Sequence, residues 1–164
     1  GVGKTTLMDE LGRQFSKDGE FGKVVKAVVS QNPSIVEVRR DIADALGMRL
    51  SGDGELAARA LLTTRLKMEA KIVIMIDDIW GRLELRDIGI PIGDEHRGCK
   101  ILFTTRTLET CQQMESHASI KVDVLSEEDS WTLFKSKVGD VFNSADLESV
   151  ARKVAAECGG LPLA

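Results

Sequence analysis

Gly1-Val2-Gly3-Lys4-Thr5-Thr6 places two glycines, one ammonium and two hydroxyls in six consecutive positions. Glycine has no Cβ, so the backbone at 1 and 3 can take positive φ and turn successive N–H groups toward one point, a nest for an anion. Where such a turn runs into a helix, the unpaired first-turn amides and the helix dipole favour the same anion. In that arrangement Lys4 reaches the β and γ phosphates of a nucleotide, Thr5 offers a hydroxyl to Mg²⁺, and Thr6 helps to hold the α-phosphate. The six residues are the second half of the pattern G-x-x-x-x-G-K-[ST], whose first glycine falls before Gly1. Taken alone, the hexapeptide also fits a Gly-rich turn that caps an ordinary helix.

A second group of residues answers the first. Ile72-Val73-Ile74-Met75-Ile76 is a continuous apolar run followed by Asp77 and Asp78. Such a run suits a strand buried on both faces of a parallel sheet, and these strands deliver functional residues at their C-terminal ends. Asp77 is then placed to hold Mg²⁺, and Asp78 to orient or deprotonate an attacking water. Without a phosphate loop upstream, the same two carboxylates would read as a strand end or a helix cap. A third run, Cys99 to Arg106, reads as a neighbouring strand that ends in two hydroxyls and a guanidinium. From that position Arg106 can sense a γ-phosphate, or it can simply begin a surface helix.

Six segments in this order resemble the NB-ARC nucleotide-binding module of plant NBS-LRR disease-resistance proteins, a branch of the STAND class of P-loop ATPases. They are GVGKTT, FGKVVKAVVSQ, KIVIMIDDIW, GCKILFTTRT, LSEEDSWTLFKSKVG and GLPLA, and they run from Gly1 to Ala164. The resemblance implies that Gly1, Val2, Gly3, Lys4, Thr5 and Thr6 bind ATP or ADP. Lys4 and Asp78 take catalytic roles, Thr5 and Asp77 bind Mg²⁺, Arg106 senses the γ-phosphate, and Pro162 packs near the adenosine. Trp80 resembles the coiled-coil subclass, as opposed to the subclass carrying a TIR domain. Lys26 departs from the family, which often has an aromatic residue there. The first sheet strand, a winged-helix part, leucine-rich repeats and an N-terminal signalling domain are expected outside this sequence.

The function implied is an ADP/ATP switch with slow ATP hydrolysis that controls defence signalling in the cytoplasm. It implies intramolecular contacts with the leucine-rich repeats and signalling domain, and self-association on activation. The alternatives are an ADP-locked scaffold without meaningful turnover and another STAND-class ATPase. A GTPase fits less well, since no N-K-x-D tetrapeptide occurs. Composition agrees with one α/β domain and the start of a second: 164 residues, 43% hydrophobic, net charge −4. There is no basic patch pointing to nucleic acid and no apolar run of membrane-spanning length. Cys99, Cys111 and Cys158 have no CxxC spacing, and with the isolated His96 and His117 they suggest neither zinc nor disulfides.

The elements that must position these residues alternate as a doubly wound sheet requires. Leu7, Leu11 and Phe15 mark a first helix, and Val24 to Val29 a strand. Ile35, Val38, Ile42, Ala45 and Leu46 mark a helix that Gly47 ends, and Ala57, Ala60, Leu61, Thr64 and Met68 mark another. Ile120 to Leu125 reads as the last sheet strand. The expected division is therefore a P-loop domain over 1–125, lacking its first strand, and the beginning of a helical subdomain over 126–164. In the latter, Ser126 and Asp129 form a capping pair and Trp131, Phe134 and Val138 share one face. A last helix starts at Ser144, carries Leu147, Val150, Val154 and Cys158, and stops at Gly159-Gly160.

Overall fold

The computed structural model describes residues 1–29, 34–50, 54–139 and 145–163. Helix α1 (Lys4–Asp18) is followed by β1 (Lys23–Val28), α2 (Ile35–Ala45), α3 (Glu55–Lys67) and β2 (Ile72–Ile79). Then come the short α4 (Leu85–Ile88), β3 (Cys99–Thr105), α5 (Leu108–Gln113), α6 (Glu127–Val138) and α7 (Ala145–Glu157). The chain divides into two compact units, one of Leu7–Ser119 and one that joins Gly1–Thr6 to Ile120–Ala164.

In the larger unit the three strands form a parallel sheet in the order β1-β2-β3. The central β2 is buried on both faces because its neighbours cover both edges and helices cover both sides. Ile72, Ile74 and Ile76 pack with Val38 and Ile42 of α2 and Leu62 and Leu66 of α3. Val73 and Met75 point the other way, onto Met8 of α1, with Leu11, Phe15 and Val24 around them. This period-two partition makes the sheet doubly wound, and places apolar groups of about 1.5–3 kcal/mol each out of water.

The helical faces differ from expectation in phase. In α3 the buried residues are Leu62 and Leu66, while Leu61 and Met68 are exposed. Leu62 and Leu66, four apart, put two large apolar side chains on one face, whereas the expected face of Ala57, Ala60, Leu61, Thr64 and Met68 is mostly small or polar. In α2, Ala43 is buried in place of Ala45, and Gly47 has φ +69, as a helix-ending residue needs. In α1, Met8 is the buried residue and Leu7 is exposed.

Ile120 to Leu125 forms no strand, which corrects the sequence reading. A β-branched, apolar segment becomes a strand only where a neighbour supplies a ladder. Here Ile120 is 89% exposed, and the segment's recorded backbone bond runs from the Leu125 N–H to the Gly160 carbonyl at 2.9 Å. Within the same unit, the Ser126 hydroxyl accepts from the Asp129 N–H at 3.1 Å and opens α6. Trp131 is buried with Ala151 and Ala155 of α7, and its ring stacks on Phe134 with Arg152 on it. Val138, Leu147, Val150 and Val154 are exposed, and the buried residues of α7 against Trp131 are the small Ala151 and Ala155. The expected helix start at Ser144, and Gln31 of the second motif, lie outside the described residues.

Candidate functional site

The phosphate-loop residues belong to the smaller unit. Gly3 has φ +89, in the left-handed region that a glycine takes without strain, and the chain enters α1 at the next residue. The first turn of α1 thus starts at Lys4 and carries the Thr5 and Thr6 hydroxyls, both on exposed residues. No acidic side chain occupies that turn to compete for its open amides. The Pro162 ring borders the loop, since a Cβ on Gly3 would stand 3.7 Å from its Cγ. Leu163 closes on Gly1 in the same way, with its Cδ1 2.8 Å from where a Cβ would stand.

The carboxylates and Arg106 belong to the larger unit. They sit at a β-bulge: Ile76 pairs with Phe103 and Ile79 with Thr105, so that Asp77 and Asp78 together face Thr104. A bulge bends its strand and re-aims side chains, and here it leaves Asp78 at φ +59, a conformation that costs a non-glycine residue roughly 1 kcal/mol. Asp77 is 3% exposed. Its Oδ1 accepts from the Thr104 hydroxyl at 2.6 Å, and its Oδ2 lies 3.9 Å from Lys26 Nζ. The Thr104 oxygen also accepts from the Asp78 N–H at 2.9 Å, so one hydroxyl holds both members of the pair.

Asp78 is engaged differently. Arg106 donates to both of its oxygens, Nε to Oδ1 at 3.1 Å and Nη2 to Oδ2 at 3.2 Å. Trp80 Nε1 donates to Oδ2 at 3.0 Å, and the guanidinium lies 4.2 Å from the centre of the Trp80 ring. The two expected roles, carboxylate and sensor, are thus brought together as a bidentate ion pair resting on an indole. The Arg106 side chain is 58% exposed, so the pair contributes little to folding.

Thr104, Lys26 and Asp9 were not singled out for this site by sequence. Thr104 is one of the two hydroxyls seen at the end of the third strand, but a role for it needs the bulge register. Lys26 shows in sequence as the lone charge in an apolar strand, and its pairing with Asp9 of α1 depends on tertiary packing.

The sequence matches the NB-ARC domain over residues 1–144. The chain belongs to the NB-ARC family. It is 37% identical to the disease resistance protein RPS5 of Arabidopsis thaliana, 40% to the disease resistance protein UNI and 38% to the disease resistance protein SUMM2 of the same plant. In each case all of this chain is covered, together with 19% of the relative, so the chain spans about a fifth of these relatives. The NB-ARC module is a nucleotide-binding domain of the P-loop NTPase type, and its parallel sheet between helices agrees with that fold. Among the described residues no helix is long and apolar enough to cross a membrane.

Taken separately, the two units each carry residues that fit part of a magnesium nucleotide. A left-handed glycine leading into open helix amides, with an ammonium and hydroxyls in the first turn, suits phosphate oxygens. A buried carboxylate on the central strand suits a hard cation.

Proposed function

We propose that this NB-ARC module binds ADP and ATP with Mg²⁺ and works as a nucleotide-dependent switch in a plant disease-resistance protein. The observation that carries the reading is the turn at Gly3 that delivers Lys4, Thr5 and Thr6 into the first turn of α1. In this reading Gly1, Val2 and Gly3 wrap the phosphates with backbone amides, Lys4 and Thr6 bind phosphate oxygens, and Thr5 and Asp77 hold the cation. Bound Mg²⁺ neutralises phosphate charge during transfer. Thr104 keeps the Asp77 carboxylate oriented, and Pro162 borders the nucleotide.

Arg106 carries the switch. Its Nε and Nη2 donors serve Asp78, and in this reading a γ-phosphate draws the guanidinium away from that carboxylate. Paired with Arg106, Asp78 has its oxygens occupied and cannot take a proton from water. Released, it can act as general base. Slow hydrolysis, a cytoplasmic location, contacts with leucine-rich repeats and signalling domain, and self-association on activation belong to the same proposal. Of the proposal, only the part in disease resistance finds support in the names of the relatives.

The Asp78–Arg106 pair also favours a second reading, an ADP-locked scaffold without turnover. Calorimetric titration with ADP and a single-turnover ATPase assay separate the two. The switch predicts that Lys4→Ala abolishes binding, while Asp78→Ala retains binding and slows hydrolysis. Full ADP affinity in Lys4→Ala overturns the nucleotide site, and absence of hydrolysis in the wild type selects the scaffold.

A further inference from the structure

Lys26 is the only charged residue in the strand stretch Val24 to Val29. Two residues from Val24, it shares the sheet face that packs against α1. Its ammonium stands between two carboxylates, bonded to Asp9 of α1 and 3.9 Å from Oδ2 of Asp77. The other oxygen of Asp77 is already taken by Thr104. The oxygen of Asp77 without a hydrogen bond to Thr104 is the one that faces Lys26, and a cation approaching it meets a like charge in a setting where Asp77 is almost dry. Lys26 has room to yield. Its stem lines a cavity of about 530 Å³ together with Met8, Gly12, Val24 and Met75, and Asp9 offers a partner on the same wall.

We propose that Lys26 is the resident counter-ion of Asp77 and sets how strongly a divalent cation tightens nucleotide binding. The inference rests on the nucleotide-binding reading above. Charge on Lys26 opposes the cation, and Asp9 relieves the opposition by holding the ammonium away. Lys26 is thus a positioning residue that acts through Asp77 and touches no phosphate.

The test measures ADP affinity of the full chain by calorimetry in saturating Mg²⁺ and in excess EDTA. The readout is the ratio of the two dissociation constants. Lys26→Met, which keeps the length of the side chain and removes its charge, is expected to raise the Mg²⁺ advantage on the order of tenfold. Lys26→Arg keeps the charge and is expected to stay within about twofold of the wild type. Asp9→Asn leaves the ammonium to Asp77 alone and is expected to lower the advantage, the opposite sign to Lys26→Met, so an unspecific loss of folding cannot imitate the pattern. A Mg²⁺ advantage in Lys26→Met that equals the wild type overturns the proposal and leaves the nucleotide site standing. A wild-type chain that binds no ADP in either condition overturns both.

Discussion

The bulge predicts that Thr104 and Thr105, adjacent and chemically identical, respond oppositely to the same substitution. The Thr104 hydroxyl donates to Asp77 at 2.6 Å and accepts from the Asp78 amide at 2.9 Å. Thr104→Val keeps the shape and removes both bonds. A hydrogen bond to a charged group is worth about 1.5–3 kcal/mol, and the carboxylate left behind is 3% exposed with little water to replace it. Some relief comes from Lys26 at 3.9 Å, which keeps the expected cost to about 2–3 kcal/mol. The Thr105 hydroxyl is buried with no hydrogen-bond partner among the described residues. Thr105→Val therefore removes a polar atom that is already desolvated, and is expected to be neutral or to stabilise by up to about 1 kcal/mol. Urea denaturation followed by circular dichroism reads both, with a midpoint lowered by about 1 M for Thr104→Val and unchanged or raised for Thr105→Val. Thr104→Ser serves as the control that retains the hydroxyl. Equal shifts for the two valine variants, or a loss below about 0.5 kcal/mol at Thr104, would refute the claim that this hydroxyl organises the carboxylate pair.

Gly160→Ala should destabilise the smaller unit by about 2 kcal/mol or more. Gly160 has φ +72, and a Cβ there would lie 2.5 Å from the Leu125 carbonyl oxygen; hydrogen exchange at the Leu125 amide, which bonds Gly160, should rise. Burial pushes the Cys99 thiol from 9.0 up to about 11. Because the unfolded chain then loses this proton first, stability is unaffected below about pH 9 and falls as pH rises from there toward 11. The gap between the denaturation midpoints of the wild type and Cys99→Ala should change between about pH 8 and about pH 10, with the wild type losing more stability at the higher pH, and an unchanged gap would discount this thiol. Iodoacetamide should label Cys99 of the folded chain far more slowly than a free cysteine, as mass spectrometry can count.

What the sequence makes legible is what local chemistry determines. The β2 run of five apolar residues suits a strand covered on both faces, and Asp77 and Asp78 follow it without a break. Ser126 and Asp129 form a cap because both partners lie within one turn. Elements whose state depends on a distant partner are harder to read. Ile120 to Leu125 has the composition of a strand, but its backbone bond goes to Gly160. The stripe Ala57, Ala60, Leu61, Thr64 and Met68 has helical spacing, yet the face that α3 buries carries Leu62 and Leu66. At the site, the motifs mark Asp78 and Arg106 separately. Their pairing on Trp80 follows from a one-residue bulge that periodicity cannot show.

The central claim is that Gly1 to Thr6 hold an adenine nucleotide. The most direct measurement purifies the chain, denatures it and identifies the released nucleotide by anion-exchange chromatography, with Lys4→Ala in parallel. The account predicts ADP in near-stoichiometric amount from the wild type and none from Lys4→Ala. A folded wild-type chain that releases no nucleotide and takes up no added ADP, or one that releases a guanine nucleotide, would contradict it.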